Sequence, residues 1–176
     1  NGISLYEEET DQFKRFLFRK PSPDGNNLIE VWTVLEDKDH GLWFGTSKGL
    51  FKLQGKDSND YTFQRVDEEE GVNLGGDYIR SLVEDEKGNF WIGFDHSGLN
   101  YWDRSTGEIQ VFKNNRSDPN TLSNNRIRDI CMDADQNLWV ATFNGLNFLQ
   151  KGSTQFKVYK KDKLNEVSIT DNSIHS

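Results

Sequence analysis

A repeat of 48 residues constrains the fold of this chain more than any other feature of its sequence. Three tryptophans recur at this interval, in the segments LWFGT, FWIGF and LWVAT; they are Trp43, Trp91 and Trp139. Each tryptophan follows an aspartate by six positions, and each is followed by a Gly-Leu pair six or seven positions later. The aspartates are Asp37, Asp85 and Asp133. A fixed period of this length indicates a repeat architecture before any local propensity is considered.

Each repeat predicts four short strands. The first repeat has an apolar, β-branched segment (VWTVLE), an Asp-rich turn (DKDHG), the tryptophan strand, a glycine turn, the strand LFKL and an alternating aromatic strand, YTFQRV. Four strands in a unit of about 40 to 50 residues are typical of a β-propeller blade. We therefore predict an all-β fold of four-stranded antiparallel blades, about 3.5 to 4 in number.

The repeats divide the chain into blades. We expect a half blade at residues 1–26, blades at 27–74, 75–122 and 123–170, and the start of another at 171–176. This division predicts a fragment of a larger, seven-bladed propeller, whose open faces and strand edges favour a homo-oligomer. An alternative stays open, in which the N-terminal half blade pairs with the C-terminal segment and closes a four-bladed ring.

Composition narrows the function classes. A net charge of −8, from 29 acidic and 21 basic residues without a basic cluster, argues against a nucleic-acid partner. No long apolar run and no basic, apolar leader occur, so we expect neither a membrane span nor a signal peptide in this segment. Cys131, the one cysteine, lies in the apolar run IRDICMD and is predicted to be a small buried thiol.

The repeated tryptophans are predicted to pack between adjacent blades, with flanking glycines allowing close approach. A tryptophan can instead serve as a stacking platform for a sugar. Trp32 and Trp102 lie outside the pattern of the three repeated tryptophans and are the better candidates for that role, but a structural role is favoured for these two as well.

No pattern in the sequence predicts a cofactor, a metal site or a catalytic group. The turns that begin at Asp37, Asp85 and Asp133 lack the glycine and glutamate of an EF-hand loop, so we expect each Asp side chain to bind backbone amides of its own turn. The histidines His40, His96 and His175 do not have zinc spacing, and nucleophile, phosphate-loop and dinucleotide motifs are absent from the sequence.

Polar loop residues are expected to converge at the end of the blades where the turns between strands two and three meet the starts of the inner strands. The candidate ligand-binding residues are Arg80, Arg128, Lys48, Asp95, His96 and Asn144, with Thr46, Ser47, Ser97, Phe143, Tyr78, Asn125 and Arg126 nearby. This mixture suits a polar or anionic ligand such as a sugar, with the two arginines as bidentate donors to a carboxylate or sulfate. The opposing interpretation, ordinary loop residues and arginines paired with local acids, stays open.

The string D-x5-W-[FIV]-[GA]-[TF], continued to Gly-Leu in all three copies, resembles the two-component regulator propeller repeat. The linkers SDPNTLSNNRI and NEVSITDNSI extend the resemblance over nearly the whole chain, and Phe94 and Ala141 are small departures from it. The resemblance implies a periplasmic sensor region of a hybrid two-component system, non-catalytic in itself. Its implied partners are an oligosaccharide, further blades and a histidine kinase beyond this segment. A protein-interaction scaffold is the alternative, and a propeller lyase or hydrolase is less favoured.

Overall fold

The computed structural model describes residues 3–16, 29–55, 61–66 and 71–174, which form fourteen β-strands. The strands are β1 (Ile3–Glu7), β2 (Gln12–Phe16), β3 (Val31–Glu36), β4 (Leu42–Thr46), β5 (Gly49–Gln54), β6 (Thr62–Arg65), β7 (Ile79–Glu84), β8 (Phe90–Phe94), β9 (Leu99–Trp102), β10 (Ile109–Phe112), β11 (Ile127–Met132), β12 (Leu138–Thr142), β13 (Gly145–Leu149) and β14 (Phe156–Tyr159). Strands β1 and β2 pair with each other, and the rest form three four-stranded antiparallel sheets in chain order. We call them the first (β3–β6), second (β7–β10) and third (β11–β14) sheets, and they confirm the predicted four strands per repeat.

The turn between the first two strands of each sheet is built on its aspartate. Asp37 Oδ1 accepts hydrogen bonds from the backbone amides of Asp39 (3.1 Å) and Gly41 (2.7 Å). Asp85 and Asp133 accept the same pair of bonds from their own turns. The prediction that these side chains bind local backbone amides is confirmed, and it explains why an Asp recurs in every repeat.

The turn between the second and third strands is closed by a threonine and a glycine. Thr46 Oγ1 donates to the carbonyl of Gly49 (2.7 Å) and accepts from the amide of Lys48 (3.0 Å). Gly49 has φ of 102°, a backbone conformation that only glycine adopts without strain. The third sheet repeats the arrangement at Thr142, with φ of 128° at Gly145.

The sheets pack face to face through apolar clusters. We call the packing of the first sheet on the second the first junction, and the packing of the second on the third the second junction. The first junction contains Trp43, Leu50, Val66, Leu74, Ile79, Leu82, Phe90, Ile92, Phe94 and Trp102. The second contains Leu99, Leu122, Ile127, Ile130, Leu138, Val140, Leu149 and Phe156. A third cluster, which includes Phe44 and Phe51, packs the other face of the first sheet against Ile3 of β1.

Glycines bring neighbouring sheets together, as the sequence predicted. A Cβ atom at Gly45 would lie 2.6 Å from Ile79 Cγ2 of the second sheet. At Gly93 a Cβ atom would lie 2.7 Å from Ile127 Cγ2 of the third sheet. The equivalent position in the third sheet is Ala141. Since the described residues place no sheet against that face, a methyl group is tolerated there.

The burial of the tryptophans differs from the prediction in part. Trp43 is 1% exposed and lies between two sheets as predicted, but Trp91 and Trp139 are only half-buried. Trp139 packs on Phe148 and Tyr159 of its own sheet, because none of the described strands covers that face. Trp102, a candidate for the alternative role of sugar platform, has the structural role that was favoured, since it is 2% exposed within the first junction.

The prediction for Cys131 is also wrong, because its side chain is exposed. Its repeat equivalents Leu35 and Val83 face the next sheet along the chain and pack into the first and second junctions. Cys131 occupies the same position on the uncovered face of the third sheet. Burial here depends on the neighbouring sheet more than on the apolar run around the residue. Among the described residues there is also no helix that could cross a membrane.

Candidate functional site

Each four-stranded sheet has a β-bulge at the start of its innermost strand. The pairing register shifts between Val31 and Thr33, between Ile79 and Ser81, and between Ile127 and Asp129. The residues left out of the pairing are Trp32, Arg80 and Arg128. A bulge changes the direction of a side chain, so these three occupy one special position, repeated in each sheet.

The turns between strands two and three are fastened to the residues before these bulges. The amide of Asp95 donates to the carbonyl of Tyr78 (2.9 Å), as Ser47 does to Glu30 and Phe143 to Arg126. We call this end of the sheets the mouth. It comprises Glu30, Tyr78 and Arg126; Trp32, Arg80 and Arg128; Ser47, Asp95 and Phe143; and Lys48, His96 and Asn144.

Asp95 is the centre of charge pairing in the mouth. Its side chain is 9% exposed, and its carboxylate lies 3.6 Å from Arg80 Nη2 and 3.7 Å from Arg126 Nε. His96 Nδ1 lies 3.4 Å from the same carboxylate. One aspartate is therefore shared between arginines of the second and third sheets. These distances are long for hydrogen bonds, so the pairing is mainly coulombic.

Aromatic rings support the arginine side chains. The guanidinium of Arg80 lies 4.1 Å from the ring centre of Trp32 on the neighbouring sheet, and Trp32 stacks on Tyr78 at 5.7 Å. The guanidinium groups of Arg126 and Arg128 lie 4.7 and 5.4 Å from the ring centre of Phe143. Such contacts hold a cation in place without neutralising its charge.

The mouth carries unsatisfied hydrogen-bond donors and excess positive charge. The Nε atoms of Arg80, Arg126 and Arg128 are buried and have no hydrogen-bond partner among the described residues. A buried donor without an acceptor costs about 1–3 kcal/mol, so these arginines have unused hydrogen-bonding capacity. The side chains of Arg80 and Arg126 are also 30% and 38% exposed, which leaves part of each one accessible to a ligand. The four basic residues Arg80, Arg126, Arg128 and Lys48 outnumber Asp95 and Glu30, in a chain of net charge −8.

The structure brings together four of the six candidate site residues predicted from the sequence. Arg80, Asp95 and His96 form one cluster, which Arg126 joins to Phe143 and Arg128. Lys48 is exposed in its turn, and its side chain has no recorded contact with this cluster in the described part of the chain. Asn144 lines a polar cleft of about 580 Å³ with Asn114, Arg116 and Lys160 among others.

Two residues named as possible loop ligands serve the backbone instead. The hydroxyl of Thr46 closes its own turn, and the hydroxyl of Ser47 accepts the amide of Glu30 at 3.1 Å. Sequence analysis missed that Arg126, rather than Arg128, pairs with Asp95. The two arginines are two positions apart, and the bulge at Arg128 changes the direction of its side chain from that of a regular strand.

An arginine at the opposite end of the sheets was missed altogether. Arg104, in the turn between β9 and β10, lies 3.2 Å from Asp37 Oδ2 of the first sheet and 3.6 Å from Glu84 Oε1. Its guanidinium also lies 4.8 Å from the ring centre of Trp43 and 4.5 Å from that of Phe90. Lys151, in the corresponding turn of the third sheet, pairs with Glu86 at 2.7 Å. The sequence did contain a signal for this contact, since a basic residue occurs in the turn between the third and fourth strands of both the second and the third sheets.

The charge of Arg104 is one of several influences on the pKa of Asp37. Burial alone raises the pKa of Asp37, but hydrogen bonds from Trp43 Nε1 (2.8 Å) and the Gly41 amide, together with the charge of Arg104, lower it below the ordinary value. The carboxylate therefore stays ionised. The Arg104–Asp37 ion pair joins the second sheet to the first, and both side chains have several partners. The arginines of the mouth differ, because their Nε atoms have no hydrogen-bond partner among the described residues.

Comparison with known proteins identifies the repeat. The two-component regulator propeller family model matches residues 25–48, 73–96 and 121–144, so its three matches share the 48-residue period. Histidine kinase P4 from Formosa agariphila is 25% identical over 71 residues, covering 39% of this chain and 5% of that protein. The chain thus spans a small part of the relative that it matches.

Solved structures share the fold. The extracellular domain assigned to the hybrid two-component system BT4673 from B. thetaiotaomicron superposes with a TM-score of 0.72 at 24% identity, covering 99% of this chain and 22% of that one. Virginiamycin B lyase from Staphylococcus aureus gives a TM-score of 0.60 at 15% identity, covering 93% of this chain and 50% of the lyase. At these identities the likeness concerns the fold, which a sensor and a lyase have in common. The three sheets are blades of a β-propeller, and the chain carries repeats of the two-component regulator propeller family.

Proposed function

We propose that this chain is part of the periplasmic, ligand-sensing propeller of a hybrid two-component system, and that its mouth binds an anionic oligosaccharide. The family of its repeats and its similarity to a segment of a histidine kinase support the sensor assignment. The signal would pass to a kinase in another part of the full-length protein. In this role the segment binds a ligand and carries out no chemistry itself.

The observation that carries this proposal is the excess of arginine over carboxylate at the mouth. The guanidinium groups of Arg80 and Arg126 share Asp95, and Arg128 adds a third cation beside them. The buried Nε atoms of all three have no acceptor among the described residues. Guanidinium groups bind carboxylate or sulfate through paired hydrogen bonds, and rigid aromatic support keeps them oriented for it. The site is therefore suited to an anion with several oxygen atoms.

Exposed aromatic rings extend this preference to sugars. Tyr78 is 48% exposed and Phe143 is 44% exposed, and both lie beside the arginines. A large aromatic ring at the surface offers an apolar face on which a sugar ring can stack. Lys48 and Asn144, in neighbouring turns, add donors at the rim for hydroxyl groups. A uronic acid or a sulfated sugar combines the two features.

The experiment is calorimetric titration of the 176-residue chain with a chondroitin sulfate hexasaccharide, an oligogalacturonide and their neutral counterparts. We expect the anionic oligosaccharides to bind, and the affinity to fall with added salt. Substitution of both Arg80 and Arg128 by Ala should weaken binding at least about tenfold, or about 1.4 kcal/mol. The matched control is Arg15→Ala, which removes an exposed arginine of β2 outside the mouth.

Thermal unfolding of the double variant separates binding from folding. A variant that melts like the parent but does not bind supports the site. An unfolded variant would instead assign the two arginines to the fold. Equal affinity for charged and neutral oligosaccharides would contradict the proposal, because the guanidinium groups could not then be the determinants.

A further inference from the structure

The second junction contains a cleft that is distinct from the mouth. It has a volume of about 310 Å³ and lies at the opposite end of the sheets, between β8–β10 of the second sheet and the turn after β13 of the third. Its apolar lining comes from Trp91, Tyr101 and Phe112 of the second sheet and from Met132, Leu138 and Leu149 of the third. The volume falls at the lower end of the range for small-ligand sites.

The cleft exists because three large side chains of the first junction, those of Phe90, Trp102 and Arg104, have smaller or differently directed equivalents in the second junction. In the first junction Trp43 is 1% exposed, with Phe90 at 4.9 Å, Trp102 at 6.1 Å and Arg104 at 4.8 Å from its ring. Phe90 pairs with Trp102 across the sheet as Leu138 pairs with Leu149, so the leucines occupy the equivalent positions.

Lys151 takes the position of Arg104. Its amide donates to Asn137 as that of Arg104 donates to Asn89. The Lys151 ammonium pairs with Glu86 at the surface, whereas the Arg104 guanidinium lies on the tryptophan ring. Trp91 is therefore left half-buried beside open space.

Trp91 is oriented by its own sheet and keeps a free donor. Its ring lies 4.7 Å from Tyr101 and 5.6 Å from Phe112. Trp43 and Trp139 donate their Nε1 hydrogen to the aspartate of their repeat, but at Asp85 the hydroxyl of Tyr101 occupies the equivalent oxygen at 2.9 Å. Trp91 Nε1 consequently has no recorded hydrogen bond within the described residues.

The polar rim of the cleft has the groups that sugar hydroxyls require. The side chains of Gln110, Gln150 and Thr154 line it, and none of them has a hydrogen bond to another described residue. Amide and hydroxyl groups both donate and accept, so they suit neutral hydroxyls, which do the same. Two acidic residues, Asp85 and Glu86, and two basic residues, Lys87 and Lys151, also line the cleft, so their charges balance, and Glu86 pairs with Lys151 at 2.7 Å.

We propose that this cleft binds a neutral pyranose residue, which stacks its apolar ring face on Trp91 and places its hydroxyls against Gln110 and Thr154. An indole ring beside a limited number of uncharged donors and acceptors is the pattern of a sugar site. The inference does not depend on the function proposed for the mouth, because the two sites share no residue.

The test fills the cleft with the side chain found in the first junction. The 176-residue chain and its Leu149→Trp variant are titrated calorimetrically with cellohexaose, maltohexaose and mannohexaose at up to millimolar concentration. We expect at least one of these to bind the parent chain and to bind the variant at least about tenfold more weakly. Thermal unfolding of the variant should be unchanged or raised, because the side chain fills open space.

A second pair of changes keeps the test valid if Leu149→Trp does not fold. Gln110→Ala and Thr154→Ala alter exposed rim residues, and each should weaken binding severalfold with the melting temperature unchanged. The double change at Arg80 and Arg128 should leave neutral-sugar binding intact, which separates this site from the mouth. The proposal would be overturned if none of the three oligosaccharides bound. It would also be overturned if the Leu149→Trp, Gln110→Ala and Thr154→Ala variants bound as tightly as the parent chain.

Discussion

The first and second junctions have the same backbone frame and different fillings. In each junction the two sheets approach closely where a glycine of one sheet lies against an isoleucine of the next. These pairs are Gly45 with Ile79 and Gly93 with Ile127. In the first, aromatic rings and Arg104 enclose Trp43; in the second, two leucines and Lys151 leave a cleft beside Trp91. The repeat therefore specifies how closely two sheets approach, while a few large side chains decide whether the junction is sealed.

The largest expected effect comes from opening the first junction. Trp102→Leu introduces the residue found at the equivalent position of the second junction, and it should lower the free energy of unfolding by about 3 kcal/mol through the cavity that it leaves. Urea unfolding measures this loss, and acrylamide quenching should show that Trp43 has become accessible. A Trp43 that stayed shielded would mean that side-chain size is not what separates the two junctions.

The next effect distinguishes the two basic residues. Arg104→Ala removes the partner of the buried Asp37 and two ring contacts, so we expect a loss of about 2 kcal/mol. Lys151→Ala, the matched change, should cost less than about 1 kcal/mol, because both members of its pair are about half exposed (53% and 49%). Chemical denaturation of both variants tests the difference. Equal losses would show that Arg104 does not seal its junction.

The glycines should give equal effects, which would confirm the shared frame. Gly45→Ala and Gly93→Ala each place a methyl group about 2.6–2.7 Å from an isoleucine of the next sheet, and overpacking of this kind costs about 1–3 kcal/mol. Ala141→Gly is the control on the uncovered face, where less than about 1 kcal/mol is expected. A much smaller cost at Gly93 would show that the second junction can widen.

The smallest effect is a dependence on alkaline pH that only the second junction should show. Burial, followed by the hydrogen bond to Asp85, raises the pKa of Tyr101 from 10.0 to about 12. The folded state thus favours the neutral phenol. Its contribution to stability is complete below the unfolded pKa of 10.0 and is lost as pH rises through about 12.

The variant Tyr101→Phe tests this dependence. Its free energy of unfolding should fall less steeply than that of the parent chain between pH 10 and about 12. Parallel curves for the two proteins would show that the phenol is not protected in the folded state. Lys52 pairs with Trp43 in the first sheet as Tyr101 pairs with Trp91 in the second. Because Lys52 has no phenol group, the first junction provides the internal comparison for this pH dependence.

Much of the fold could be read from the sequence, because it is fixed by short-range rules repeated three times. The aspartate turns, the glycine turns and the four strands depend on residues a few positions apart, and the structure confirms them. Phe94 and Ala141, the departures from the pattern, leave the strands intact. The repeat alone also predicts the close approach of the sheets at Gly45 and Gly93.

The errors concern contacts between sheets. Cys131 was predicted to be buried, and Trp91 and Trp139 to be core residues, because local sequence does not state which neighbour covers each face. The mouth was predicted as a group of loops, but the sharing of Asp95 by Arg80 and Arg126 follows from the relative positions of two sheets. Arg104 was missed for the same reason, since its partners lie on different strands.

The bulge at Trp32, Arg80 and Arg128 has a consequence for how such a protein can change its ligand. A residue left out of the strand pairing can be replaced without disturbing the ladder on either side, and each blade supplies one such position. Under the function that we propose for the mouth, binding preference can therefore be altered one blade at a time, by single substitutions that leave the stability of the sheets nearly unchanged. The mouth is in this sense modular, and a family built on this repeat could diversify its recognition without altering its architecture.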